Sequence, residues 1–313
     1  MSALLEEGLD PKVVNRVLCE KLGSTDWQQR KEAVDAANDY TRYKMREDGV
    51  LRKILPPVTI TDDLDRMIED DKPIKIIDKE PDSPAAVSVP FAMLPSNMYI
   101  KGPRYPVGFE RIMTTRFTKD VSELRTWVMD IRQVFSDNAI KDMLAEEDAK
   151  WFRAVNNAIV GPGVILPTSG VAQYEQIGGG INRDSLWDML KILPSTPSCL
   201  ETKLAVCNML TIKEVGKFRR DEMGGDLSMD VMRDGWSLQR FMGIDWIVTI
   251  KKDIVETNNI YLFADPKFLG KHFELEPVTM FIERKAFMIE FFAYEENGCT
   301  IGNTNAVARA EFI

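Results

Sequence analysis

The sequence is poor in the residues that most enzymes and metal proteins depend on. Of 313 residues, one is histidine and four are cysteine. With only His272, no zinc site with two imidazoles can form, and a Ser/His or Cys/His pair has a single base to draw on. That histidine stands at an expected strand start after Gly270-Lys271, so it reads as a surface or half-buried strand residue. Cys19, Cys199, Cys207 and Cys299 are widely spread, and Cys199 and Cys207, eight apart on one expected strand, do not have metal-ligand spacing. No Asn-x-Ser/Thr sequon occurs, and synthesis in a reducing cytosol is favoured. No apolar run approaches the ~20 residues that cross a bilayer, and the opening MSALLEEGLDPK has neither the basic nor the apolar part of a secretion signal.

Phosphate-cradling motifs are missing as well: there is no Gly-x-x-x-x-Gly-Lys-Ser/Thr and no Gly-x-Gly-x-x-Gly. Gly178-Gly179-Gly180 and Gly224-Gly225 read as flexible joints. Glu146, Glu147 and Asp148 are consecutive on an expected helix, so they spread around it as a solvated face rather than an acid–base pair. Asp62, Asp63, Asp65 and Glu69 lack the glycine and the distal glutamate of a helix–loop–helix calcium site. Positive charge is also short. The net charge is −9, which gives the chain no overall pull toward nucleic acid. The acid is densest at 61–82, TDDLDRMIEDDKPIKIIDKEPD, which reads as a solvated surface segment. Trp127, Trp151, Trp187, Trp236 and Trp246 have no Lys/Arg stripe beside them and read as core anchors rather than a base-stacking platform.

What is present is globular material: 44% hydrophobic and 28% charged residues, enough chain for one large or two ordinary domains. Residues 10–22 read as a helix with Asp10 as cap, Pro11 in its first turn and Gly23 at its end; a second runs over about 26–47. Both are polar over most of their girth and need another surface to lie on. From Leu55 to Phe117 nine prolines separate short β-type runs, Ile74–Ile77, Val87–Met93 and Phe109–Phe117. The stretch is too long for an ordinary loop and too rich in β-branched and aromatic residues for a linker. A long hairpin arm fits, and such a ribbon is marginal in water without a partner surface. Two helices follow, one from Asp120 to about Phe135, then, after Ser136-Asp137-Asn138, a longer one with Ile140, Leu144, Trp151, Val155 and Ile159 as its stripe. The second half is mixed: a helix at 182–193 with Asn182 as cap and Leu186, Trp187 and Leu190 inward, a strand over Cys199–Leu210, a short helix over Thr211–Phe218, and strands near 244–250, 258–264, 271–283, 286–296 and 304–312. Asn297-Gly298 is the strongest hairpin-turn signal and pairs the last two strands; Phe287, Ile289 and Phe291 alternate with Met288, Phe292 and Tyr294, so both faces of the penultimate strand are apolar and it is central. Ala306, Ala308 and Ala310 make a face that a neighbour can approach closely, and Phe312 and Ile313 are apolar enough to be buried.

Arms, a rod and a sheet, with no reaction centre, describe a part built to touch copies of itself. At RRDEMGGDLSMDVMRDGWSLQRFMGIDWIVT, NNIYLFADPKFLGKHF and MIEFFAYEENGCTIGNTNAVARAEF the chain resembles the tailed-bacteriophage major capsid proteins of Hong Kong 97-like (HK-97-like) fold, and the order of elements over 1–160 agrees. The resemblance is clearest over about 180–313. It implies an α+β chain in six parts: 1–54 an N-terminal arm, 55–118 the E-loop region, 119–160 the spine-helix region, 161–218 and 265–313 the peripheral P domain, and 219–264 the axial A domain. It implies contacts between subunits through Trp27 and Tyr40 on the arm, through Val87, Val89, Phe91, Met93, Tyr99 and Arg104 on the E-loop, and through Arg219, Arg220, Arg233 and Trp236 in the axial region. It implies a non-enzymatic subunit with no catalytic residue, cofactor or metal, self-assembling into the hexamers and pentamers of an icosahedral shell. That shell would enclose double-stranded DNA without reading its sequence, with portal, scaffold and decoration proteins as partners and no membrane. It would be made and assembled in the host bacterial cytoplasm. An acidic chain suits such a shell, because a strongly basic one would trap the incoming duplex. Two other readings stay open at this stage: an encapsulin-like cellular compartment, which shares the fold, and an α+β enzyme with a carboxylate site such as Asp234 with Glu222.

Overall fold

The computed structural model describes residues 16, 17, 20, 21, 28, 31, 49–60, 64–67, 69–78, 88–94, 102–124, 131–160, 173–215, 240–285 and 287–313. Arg16, Val17, Glu20, Lys21, Gln28 and Lys31 are helical, in keeping with the two N-terminal helices read from the sequence. After them come a short helix α1 (Val50–Ile54), strands β1 (Val58–Thr59), β2 (Asp65–Arg66), β3 (Pro73–Asp78), β4 (Arg104–Gly108), β5 (Glu110–Met113) and β6 (Phe117–Asp120), and a helical turn α2 (Val121–Leu124). Asp120 opens α2 as expected, its carboxylate accepting from Ser122 N–H at 2.7 Å.

The rod is α3 (Ile131–Val160), 30 residues and about 45 Å long. It runs unbroken through Ser136-Asp137-Asn138, where the sequence suggests an interruption. Those three residues disfavour helix by a few tenths of a kcal/mol each. The burial of Ala139, Ile140, Met143 and Leu144 one turn further on outweighs that. Beyond it lie β7 (Tyr174–Ile177), α4 (Arg183–Lys191), β8 (Leu204–Asn208), α5 (Met209–Val215), β9 (Arg240–Phe241), β10 (Ile244–Thr249), β11 (Asn259–Phe263), α6 (Pro266–Leu269), β12 (Gly270–Lys285), β13 (Met288–Ile301) and β14 (Val307–Phe312). The strand expected over 199–210 is thus shorter: Cys199 sits at φ 48°, outside extended geometry, and helix α5 begins at Met209.

A six-stranded mixed sheet, β7-β14-β11-β8-β10-β9, forms the body. Period-two alternation sends its two faces into two cores. Val206, Tyr261, Phe263 and Val307 pack with Trp151, Phe152, Val155 and Ile159 of α3 and with Val50, Leu51 and Ile54 of α1. Ala205, Cys207, Ile260, Leu262, Ala308, Ala310 and Phe312 pack with Leu186 and Met189 of α4 and Ile212 and Val215 of α5. Asn182 caps α4 as expected, in a reciprocal capping box with Ser185. Trp187, expected inward, is half exposed because Met189 takes the inward position. Trp151 and Trp246 are the buried anchors among the described tryptophans.

The second sheet, β1-β12-β13-β5 with β6 on β13, corrects the reading of the chain's end. Asn297 and Gly298 do not turn. Neither takes the positive φ of a two-residue hairpin turn, and they pair in mid-strand with Glu274 and Phe273. The chain reverses instead between Lys285 and Met288, which face each other across the hairpin. Strand β14 leaves β13 altogether and joins the six-stranded sheet between β7 and β11. Gly298 is glycine for another reason: a Cβ there would lie 2.5 Å from the Gly108 carbonyl oxygen. β13 is central, as expected, between β12 and β5/β6. The last residues are held as anticipated only in part. Phe312 is buried and Ile313 N–H bonds the Ile177 carbonyl at 3.0 Å, while the Ile313 side chain is exposed.

Candidate assembly surface and its buried anchor

A three-stranded ribbon, β2-β3-β4, stands apart from both cores. β3 and β4 pair antiparallel from Ile74↔Gly108 to Asp78↔Arg104, and β2 adds only Asp65 and Arg66. Its own interior is almost nil: Val107 is buried, while Ile76, Leu64 and Met67 are exposed. Ion pairs trim its edges, Arg104–Asp78 at 2.7 Å and Lys72–Asp70 at 2.9 Å, but exposed pairs of this kind contribute at most about 1 kcal/mol. At its base the ribbon meets β13 through two glycines. A Cβ on Gly298 would strike the Gly108 carbonyl, and one on Gly302 would come within 2.7 Å of Tyr105 Oη.

Between β3 and β4 the described residues 88–94 form a turn rather than the strand expected over Val87–Met93. Phe91 is fully exposed, Leu94 is 93% exposed, and Met93 and Val89 are open to solvent. Burying a side chain of this size gains about 1.5–3 kcal/mol, so the loop forgoes several kcal/mol within its own chain. A second apolar patch lies on the face of β12–β13 turned away from α3. Phe281, Phe292 and Tyr294 stack there at 5.2 and 5.5 Å, with Arg116 over Phe292 and Arg111 over Tyr294. Met113, paired with Tyr294, extends it, and Phe287 at the hairpin's turn is exposed as well.

Of the contact residues named from the sequence, Val89, Phe91, Met93 and Arg104 share this ribbon and its loop, all exposed. Val87, Tyr99, Trp27, Tyr40, Arg219, Arg220, Arg233 and Trp236 lie outside the described residues, as do Glu222 and Asp234.

The chain leading to the ribbon is anchored by a sealed group of charges. Arg52 of α1 reaches three carboxylates: Glu147 of α3 (Nε–Oε2 3.0 Å), Glu295 of β13 (Nη2–Oε2 2.8 Å) and Glu274 of β12 (Nη1–Oε1 3.5 Å). Asn297 donates to Glu295 at 3.2 Å and to Glu147 at 3.5 Å, and the Thr59 hydroxyl to Glu274 at 3.3 Å. His272 places Nδ1 3.2 Å from the Leu55 carbonyl and Nε2 3.3 Å from Glu147 Oε1. Next door, Asp148 accepts from Leu51 N–H (2.9 Å) and Val50 N–H (3.5 Å), supplying from α3 the cap that Gly49 cannot give α1; Lys251 balances it at 2.6 Å.

Two expectations are corrected here. Glu147 and Asp148 are not a solvated face but 2% and 0% exposed, and His272 is a fully buried strand residue. Burial disfavours the charged forms of Glu147 and His272. It pushes the Glu295 carboxyl up to about 8, helped by the charge of Glu147 and opposed by Arg52, and it raises Glu147 as well. Burial and the charge of Arg52 push His272 down to about 4. Burial also works against the Arg52 guanidinium, but Glu147 and Glu295 more than offset it and its pKa is raised. The signal for this group was in the periodicity. Glu295 and Asn297 continue the inward series Ile289, Phe291, Ala293 on β13, and Glu147 sits midway between Met143 and Trp151 on the inner face of α3. With no open face to admit a substrate, the group can fix segments in place but offers no route to turnover. Among the described residues no cluster of His, Cys, Asp and Glu is arranged to hold a metal ion, and no helix is long and apolar enough to cross a membrane.

No protein-family model matches the chain, and no curated protein matches it in sequence. Solved structures do match. The mature capsid of bacteriophage PhiM1 is similar at TM-score 0.58 and 8% identity, over 85% of this chain and 87% of that one. A structure of Mycobacterium phage Bobi is similar at TM-score 0.57 and 10% identity, over 85% and 90%. A virus-like particle from Pyrococcus furiosus is similar at TM-score 0.53 and 16% identity, over 88% and 98%. The chain therefore has the α+β HK-97-like fold shared by these proteins.

Proposed function

We propose that this chain, with its HK-97-like fold, is a structural major capsid protein whose copies build the icosahedral head shell around the double-stranded DNA of a tailed phage. The observation that carries the reading is the ribbon β2-β3-β4 and its loop, which holds Phe91, Met93 and Leu94 in solvent with none of the described residues over them. A neighbouring copy is the natural cover, and repetition of one such contact around symmetry axes closes a shell. On this reading 1–54 is the N-terminal arm, 55–118 the E-loop, 119–160 the spine helix, 161–218 with 265–313 the P domain, and 219–264 the A domain meeting at hexamer and pentamer axes. The chain works without catalysis, acts in the virion after assembly in the bacterial cytoplasm, and meets portal, scaffold and decoration proteins there. Its −9 charge lets packaged DNA slide past without adsorbing.

A second reading, an encapsulin-like compartment, is supported by the Pyrococcus furiosus particle, 98% of whose chain is covered. Electron microscopy of the purified chain, with a scaffold protein where one is encoded beside it, tests the shell itself: closed particles are expected. Particles recovered from the native source then separate the two shells, the first containing duplex DNA and the second a protein cargo. A chain that stays monomeric at every concentration, salt and pH overturns both.

A further inference from the structure

The buried group around Arg52 has a proton count that its geometry fixes. Among the described residues the polar atom facing His272 Nδ1 is a carbonyl oxygen, Leu55 O, so Nδ1 carries a hydrogen. Nε2 then meets Glu147 Oε1 at 3.3 Å, and in the neutral ring no hydrogen bond joins them. Two acceptors can face each other inside a protein only if a proton lies between them, on the ring or on the carboxyl. Charge leads the same way. Fully ionised, Glu147, Glu274 and Glu295 carry −3 against +1 on Arg52, with all four side chains at most 7% exposed. Two protons, one shared by His272 and Glu147 and one on Glu295, bring the group to neutrality.

Among the described residues nothing else close by can do that work. Asp148 is matched by Lys251 at 2.6 Å. Glu110 at the rim of β5 is matched by Lys150 at 2.8 Å. From β1 comes only the Thr59 hydroxyl, and from further along β13 only Asn297 and the thiol of Cys299, which burial and the Glu147 charge push up to about 12.

We propose that this group is a proton-held lock: while it keeps its protons, residues 50–60 stay docked between α3 and the β12–β13 hairpin, and at alkaline pH that segment undocks on its own. The position gives the lock its consequence. Residues 50–60 are the span of chain between everything before residue 49 and the ribbon, and β1 is bonded to β12 at Val58↔Phe273 and Thr59↔Glu274. Undocking therefore frees the points from which both leave the body. The inference does not rest on the shell reading, since the lock lies within one chain.

The pH window follows from the two titrations that are placed. Glu295 binds its proton more tightly docked, about 8, than free at 4.5, so docking weakens as pH rises from 4.5 to 8 and is level above. His272 binds its proton less tightly docked, about 4, than free at 6.5, so it strengthens docking between 4 and 6.5 and adds little beyond. The two oppose each other up to pH 6.5. From 6.5 to 8 the Glu295 effect dominates, flattening as Glu295 reaches half-titration and offset about twofold by the last of the His272 titration, for a loss on the order of tenfold in the docking constant; the raised Glu147 carboxyl acts in the same direction.

Hydrogen exchange read by mass spectrometry on the full chain tests this. Corrected for the intrinsic pH dependence of exchange, protection of the Leu51, Leu55 and Ile60 amides is expected to fall about tenfold between pH 6.5 and 8. The Ile260 and Leu262 amides of the central strand should hold theirs. In Glu295→Gln, which carries a permanent neutral stand-in for the protonated acid, the fall should disappear. A flat wild-type profile, a Gln variant that follows the wild type, or loss of protection in both regions together overturns the proposal. If the variant fails to fold, infrared spectroscopy of the wild type decides: a protonated-carboxyl band at pH 6.5 that is gone by pH 9 upholds the lock, and its absence at pH 6.5 overturns it.

Discussion

Replacing Arg52 by methionine isolates the electrostatics of the anchor from its packing. Methionine keeps most of the aliphatic stem and adds no polar atom, so the main loss is the cation. Three carboxylates then face one another in an interior where the Arg52, Glu147, Glu274 and Glu295 side chains are at most 7% exposed. Removing one partner of a buried ion pair costs about 3–5 kcal/mol, a large part of the roughly 5–15 kcal/mol that a folded chain has. Over 313 residues, at about 2.1 cal/mol/K of unfolding entropy per residue, that is about 5–8 °C in Tm. Acid should narrow the gap, because protonating Glu147 and Glu295 removes the repulsion that Arg52 normally offsets. The triple change Arg52→Met, Glu147→Gln, Glu295→Gln should recover more than half the loss, since neutral amides can bond one another. Differential scanning fluorimetry at pH 5 and pH 8 reads all three chains. A loss below 1 °C for Arg52→Met at pH 8, or a triple variant less stable than the single, would refute the picture of a charge group held together by one guanidinium.

Other consequences are as direct. Gly298→Val should lower stability by about 1–3 kcal/mol in denaturant melts and retilt the ribbon, because its Cβ meets the Gly108 carbonyl oxygen at 2.5 Å. Phe91→Asp with Leu94→Asp should leave the isolated chain's melting unchanged within about 0.5 kcal/mol, both residues being exposed, yet abolish particles in size-exclusion chromatography. Asp148→Ala removes the cap on α1 and the partner of Lys251; a loss of about 2 kcal/mol and faster exchange at Val50 and Leu51 are expected.

Much of the fold was legible because burial follows period. The β11 alternation of Ile260 and Leu262 against Tyr261 and Phe263, and the α3 stripe of Ile140, Leu144, Trp151 and Val155, both fill the cores their spacing announces. What misled was local chemistry overruled by distant contacts. Asn297-Gly298 has the residues of a turn, but pairing along a 16-residue β12 and the close approach of Gly108 keep it straight. Ser136-Asp137-Asn138 has the residues of a break, but the turn that follows is packed through Ala139, Ile140, Met143 and Leu144. The anchor was missed for a different reason. Arg52, Glu147, His272, Glu274 and Glu295 come from four elements spread over 244 residues; spacing marks Glu147 and Glu295 as inward, but which charges meet there is decided only by tertiary pairing. The ribbon was the easier part, because a proline-punctuated β-rich stretch too long for a loop has few other shapes open to it.

On the shell reading proposed above, the apolar ribbon and loop are covered by a sister copy. Cryo-electron microscopy of the assembled chain measures that contact directly. A closed particle is expected in which Phe91, Met93 and Leu94 of each subunit lie buried against a neighbour. A particle, or a soluble monomer, in which those side chains pack onto their own subunit or stay in solvent would contradict it.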